Sequence, residues 1–213
     1  MKIDVFTLVP HAFAWLTETR PIAAVLGTEL DLRLFNYRDT TPLRAGQVDD
    51  EPYGGGAGMV LRVDVVAAAL DAAYGGKPPA RVIALTPQGR PLTQSVVEQL
   101  AMEDELTLLS ARFEGFDERV VQHLASDAIS IGPYVLSNGD LPAMVVLDAV
   151  ARRLPGALSE GSGELESFSE ELGGGLEYPH YTRPSEFRGW KVPDVLLSGD
   201  HAKIEAWRRE GVR

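Results

Sequence analysis

The sequence predicts an α/β fold with a mostly parallel sheet flanked by helices, on three observations. Apolar runs of strand length alternate with helical stretches of about ten residues or more. Residues 29–35, ELDLRLF, alternate with period two, as a half-buried strand does. Three consecutive strands end in loops built from small residues: LTPQG, SARFEG and SIGPYVLSNG. In a parallel sheet such carboxyl ends lie side by side, so three of these loops together make one pocket.

Taken in order, 2–8 (KIDVFTL) reads as the first strand and 11–26 as a helix interrupted near Pro21, which lacks an amide hydrogen. Residues 36–59 read as a long loop carrying four glycines between Gly54 and Gly58. An alanine-rich amphipathic helix spans 62–74, a strand 81–85 and a helix 91–102. A strand at 106–110, a helix at 116–124 and a strand at 128–131 follow. After the loop holding Gly132, Pro133, Asn138 and Gly139, an apolar helix begins at Leu141 and ends near Arg152 and Arg153. Residues 155–175 are rich in Gly, Ser and Glu, without apolar periodicity, and read as a flexible linker or lid. YPHYTRP and KVPDVLLSGD read as ordered loops, and 201–210 as a helix capped by Ser198 or Asp200.

Composition excludes several classes. The 213 residues contain no cysteine, so disulfides, thiolate metal sites and cysteine nucleophiles are ruled out. His11, His123, His180 and His201 have no metal-ligand spacing. No apolar run is long enough for a bilayer and Met1-Lys2-Ile3-Asp4 does not open a signal peptide, so the expected location is the cytoplasm. A net charge of −11 opposes broad, nonspecific binding of nucleic acid but leaves room for a local basic patch.

The local motifs have modest readings. GGGAG (54–58) lacks the Lys-Ser/Thr of a phosphate loop and reads first as a turn permitting close backbone approach. No GxGxxG follows the first strand, which counts against a dinucleotide enzyme. Asp117 and Glu118 sit where a helix start favours carboxylates, whereas Glu114, in a glycine-flanked loop, reads equally as a ligand contact. Arg152 and Arg153 sit where a helix end favours cations. Linker glutamates read by default as solvated charges.

Six blocks together, VDDEPYGGGAGM, LTPQGR, ARFEGFDERV, SIGPYVLSNGDLPAM, PHYTRP and VPDVLLSGDHAKIEAWRR, resemble in order and spacing the bacterial tRNA (guanine-N1)-methyltransferases, the TrmD family of the SPOUT superfamily. The resemblance covers about residues 1–209. It implies a deep C-terminal trefoil knot, contrary to the general rule of unknotted connections. It implies S-adenosylmethionine held by Leu85, Thr86, Pro87, Ala111, Glu114, Gly115, Ser130, Ile131, Gly132, Tyr134, Leu136, Gly139 and Pro142. It further implies tRNA as substrate and a homodimer whose active sites are shared between chains. The methylated atom would be N1 of the guanine 3′ of the anticodon, with Glu166 as base and Arg152 stabilising charge on O6. A role for Mg2+ stays open, with no ligand set assignable.

The implied organisation is a methyltransferase domain over 1–157, an acidic linker over 158–175, and over 176–213 the beginning of a small helical tRNA-binding region that appears cut short. The sequence departs from the family pattern at Glu166 (Asp in the family), with Glu164 or Glu170 as alternative bases. It departs also at Ala111 (Gly), Phe113 (Tyr), Pro133 (Asp) and Asn138 (Gly). These positions keep two alternatives open: another RNA methyltransferase of the same fold, or a non-catalytic binding protein that retains it.

Overall fold

A computed structural model describes residues 1–77, 79, 81–159 and 166–212. Contacts divide the chain into two units, Met1–Leu158 and Ser159–Arg213. Glu164 and the rest of 160–165 lie outside the described residues.

In the first unit β1 (Lys2–Thr7) is a central strand, and its residues from Ile3 to Thr7 are all buried. Strands covered on both faces read as apolar runs, as this one does. It lies between β2 (Asp31–Asn36) and β6 (Glu105–Leu109), while β5 (Val82–Pro91) and β7 (Asp127–Ser130) complete the sheet. The order is β2-β1-β6-β5-β7, and every pairing is parallel.

Because side chains alternate along a strand, Ile3 and Val5 face one layer and Phe6 the other. The first layer includes α1 (Ala14–Glu18), α2 (Ile22–Val25), α5 (Gln94–Ala101) and α6 (Asp140–Ala151), through Leu16, Ile22, Val97, Leu100, Val146 and Val150. The second includes α3 (Tyr37–Thr40) and α4 (Val63–Tyr74), through Tyr37, Val65, Val66 and Leu70. On that face Asp4 is buried but fully answered: Arg33 donates at 2.8 and 2.6 Å and the Tyr74 hydroxyl at 2.5 Å.

Several elements differ from the sequence expectation. The stretch 36–59 is not one loop: it holds α3, a 3-10 turn at Arg44–Gly46, and β3 (Asp49–Asp50), which pairs with β4 (Val60–Leu61). The helix expected over 91–102 starts at Gln94, because Pro91 still pairs with Ser130 and Thr93 supplies the cap, accepting from the Val96 amide at 3.4 Å. The helix expected over 116–124 starts at 118 and is π-helical over Val120–Leu124, because Phe116 forms a bridge to Leu61. The 11–26 helix is broken at Pro21, as expected, into a 3-10 turn at Pro10–Phe13 followed by α1 and α2.

In the second unit, residues 166–175 make successive turns, including Ser169 N to Glu166 O at 3.0 Å and Phe168 N to Gly175 O at 2.7 Å. A hairpin of β8 (Glu186–Phe187) and β9 (Trp190–Lys191) turns through Arg188 and Gly189, both at positive φ, as a two-residue hairpin turn requires. After α7 (Asp194–Leu197), α8 (His201–Gly211) is capped by Asp200, which accepts from the Lys203 amide at 3.2 Å. Among the described residues no helix is long and apolar enough to cross a membrane.

Candidate functional site

Three loops, one an excursion within β5 and two leaving the carboxyl ends of β6 and β7, enclose one cleft of about 430 Å³, a volume suited to a cofactor-sized ligand. All thirteen residues expected to hold a cofactor line it: Leu85, Thr86, Pro87, Ala111, Glu114, Gly115, Ser130, Ile131, Gly132, Tyr134, Leu136, Gly139 and Pro142. Sequence reasoning omitted further lining residues, among them Gln88, Arg112 and Phe116, and named Phe113 and Asn138, which also line the cleft, only as departures from the family pattern. Their adjacency to the motif residues was the available signal.

The first loop is an excursion within β5. Leu85 and Arg90 both pair with Ile129, so residues 86–89 bulge out and return to the same rung. Gly89 makes this closure feasible, since a Cβ there would lie 2.5 Å from the Ala128 carbonyl carbon. Arg90 then clamps the return, with Nη2 donating to Asp127 Oδ2 at 2.7 Å, while Arg81 reaches the same oxygen at 3.0 Å. The Arg90 hydrogen bond, offset in part by burial and helped by the charges of Arg90 and Arg81, holds the Asp127 carboxyl below its ordinary range.

A depressed carboxyl pKa gives stability that is present above the unfolded value of about 3.9 and lost as pH falls through the folded value. Arg90→Ala is therefore expected to lower Tm at neutral pH. Solvent screening limits the cost to roughly 1 kcal/mol. The gap to wild type should close in acid, below about pH 4; thermal scans across pH would expose a pH-independent gap if this origin is mistaken.

The second loop turns at 112–115, with the Gly115 amide donating to the Arg112 carbonyl at 3.1 Å. Phe113 occupies the left-handed region at φ 60°, a conformation costing on the order of 1–3 kcal/mol for a residue with a side chain. The segment around Gly58 braces this loop: Glu114 N donates to Met59 O at 2.9 Å and Leu61 N to Gly115 O at 3.0 Å. A Cβ on Gly58 would lie 2.5 Å from Glu114 Cγ. The glycine cluster thus permits close approach at Gly58, where it seats the Glu114 carboxylate at the cleft.

The third loop, 131–139, is tied at both ends. Ser130 Oγ accepts from the Gly132 amide at 3.3 Å and donates to its carbonyl at 3.0 Å. At the far end Gly139 N donates to Ala111 O at 2.7 Å, and a Cβ on Gly139 would stand 3.0 Å from Ala111 N and Ser110 Cα. Asn138 Oδ1 accepts from the Asp140 amide at 3.0 Å, closing a side-chain turn just before Gly139, the N-cap of α6.

The two expected catalytic residues lie in different units. Arg152 follows α6, its amide donating to the Asp148 carbonyl at 3.1 Å. Burial pushes the Asp148 carboxyl up, opposed by the Arg152 charge. Glu166 opens the turns of the second unit. Among the described residues no group of three or more His, Cys, Asp or Glu side chains is placed to hold a metal ion.

A parallel sheet with helices on both faces and three converging loops defines an α/β protein with a glycine-shaped cleft suited to a small ligand. The model of the family described as tRNA (Guanine-1)-methyltransferase TrmD matches residues 1–213. The chain belongs to that family. It is similar to the tRNA (guanine-N(1)-)-methyltransferase of Brevibacillus brevis, at 50% identity over 216 residues, covering 100% of this chain and 87% of the relative. The proteins so named from Dehalococcoides mccartyi, at 49% over 213 residues (99% and 85% of the two chains), and Geobacter metallireducens, at 48% over 211 residues (98% and 85%), are similarly close.

Proposed function

We propose that this protein transfers a methyl group from S-adenosylmethionine to N1 of the guanine 3′ of the anticodon in tRNA. Family membership and about half-identity over the whole chain support tRNA guanine-N1 methylation. The single observation in the structure that carries the cofactor reading is the convergence of all thirteen expected residues on one cleft.

The cleft fits the cofactor chemically. Leu85, Ile131, Leu136 and Pro142 offer apolar walls for an adenosyl group, and the Glu114 carboxylate is suited to a sulfonium or ammonium charge. When bound, S-adenosylmethionine supplies an already activated methyl, so no nucleophilic side chain is required. Guanine N1 is a poor nucleophile while it holds its proton. Glu166 accepts that proton, and Arg152 stabilises the negative charge that moves toward O6. Each carboxylate–guanidinium site is completed by a second copy of the chain, the homodimer being part of this reading, as is the cytoplasmic location where tRNA is processed.

The knotted passage belongs to the same proposal. It is supported by the close seating of Gly139 on Ser110 and Ala111 after β6. The segment 176–213 carries seven Lys and Arg against six Asp and Glu, whereas the whole chain is at −11, which suits it to the tRNA side of the reaction. The test is incubation with labelled S-adenosylmethionine and unmodified tRNA, then nucleoside analysis. N1-methylguanine at that position is expected, and a different methylated nucleoside would redirect the proposal to another RNA target.

A further inference from the structure

The group that the proposed mechanism leaves unused is Asp140, the first residue of α6, which is only 3% exposed. Its Oδ1 accepts from two hydroxyls, Thr7 Oγ1 at 2.5 Å and Ser110 Oγ at 2.7 Å. Thr7 closes β1, Ser110 follows β6, and Asp140 opens α6, so one oxygen joins three elements that are far apart in sequence. Thr7 Oγ1 in turn accepts from the Val9 amide at 3.0 Å, which fixes its rotamer. The chain neighbours of this knot of hydrogen bonds are cleft residues: Ala111 beside Ser110, and Gly139 and Pro142 beside Asp140.

The other oxygen, Oδ2, is buried without a hydrogen-bond partner among the described residues, as is the Tyr37 hydroxyl. Burial first, and then the Asp140 charge, push that hydroxyl well above its ordinary range. A half-satisfied buried carboxylate is costly. Stability alone therefore does not account for it. A short, doubly received oxygen does account for a cleft wall that must not drift, since such charge-assisted bonds are shorter and stronger than neutral ones.

We propose that Asp140 is a positioning residue that locks the 131–139 wall of the cleft to the ends of β1 and β6, so that the wall is preformed when the cofactor enters. The proposal rests on the reading of that cleft as the S-adenosylmethionine site. Pre-organisation appears as affinity, because the ordering cost is met before binding.

Two variants and two readouts test it. Asp140→Ala is expected to raise the calorimetric Kd for S-adenosylmethionine at least tenfold and to speed amide exchange across 132–139. Asp140→Asn keeps an oxygen for both hydroxyls and is expected to stay within threefold on both readouts. A residue with a merely structural role would lower Tm in Asp140→Ala while leaving the Kd and the loop exchange of the folded protein as in wild type, and that result overturns the proposal. Should Asp140→Ala not fold, Ser110→Ala removes one of the two donors. A three- to tenfold rise in Kd is then expected, and an unchanged Kd overturns the proposal. Wild-type protein that bound no S-adenosylmethionine would refute the cofactor reading instead, and loop exchange in the variants would still decide whether Asp140 is the lock.

Discussion

Glu166→Ala is expected to slow methyl transfer by about 10²–10⁴-fold, the range lost when a positioned general base is removed. In the proposed chemistry Glu166 takes the N1 proton, and a guanine that keeps its proton does not attack. Single-turnover formation of N1-methylguanine measures the chemical step apart from product release. Binding of S-adenosylmethionine should be unchanged, because all the residues proposed to hold it belong to the first unit. Glu166→Asp retains the carboxylate one methylene shorter; a displacement of about 1 Å can itself cost on the order of a hundredfold. Arg152→Ala is expected to lose about 10²–10³-fold, as removal of a donor to a developing oxyanion does. Full activity in Glu166→Ala would remove Glu166 from the mechanism.

Gly89→Ala is expected to be the most damaging single methyl group in the first unit. The added carbon would stand 2.5 Å from the Ala128 carbonyl carbon and closer still to the Ile129 amide nitrogen. Neither is the end of a flexible side chain, so backbone must move, and the backbone concerned is β7, from which the 131–139 wall begins. Overpacking of this kind costs about 1–3 kcal/mol, and for a chain of this size that is a fall in Tm of roughly 2–12 °C. Affinity for S-adenosylmethionine should drop with it. An unaltered Tm and Kd in Gly89→Ala would mean that the excursion does not return to β7 as described.

The parts legible in the sequence were those governed by periodicity and by the ends of strands. The five strands of the main sheet, α4 and α6 are apolar patterns long enough to read, and the three converging loops follow once the sheet is parallel. What escaped was short or non-local. β8 and β9 have two residues each and are exposed throughout, so no alternation marks them. Pro91 reads as the first residue of a helix, yet it is the last rung of β5, because its partner Ser130 lies 39 positions away. Asp140 stands just before the helix expected from Leu141, and nothing in its local sequence singles it out. Only the fold reveals that Thr7 and Ser110 close over it. The proposed catalytic pair, Glu166 and Arg152, was accessible only through resemblance, since a half-buried glutamate in a glycine-rich segment has no local signature.

The excursion of β5 has an evolutionary side. Its two ends face the same residue, Ile129, so whatever lies between them leaves the register of the sheet untouched. Such a segment is an insert bracketed by fixed points. Lengthening it is thermodynamically mild, about 0.6 kcal/mol for each doubling of a flexible loop, and the register-setting pairs on either side need not change. The depth and chemistry of one wall of the cleft can therefore vary independently of the scaffold, provided a glycine is kept where the chain rejoins β7.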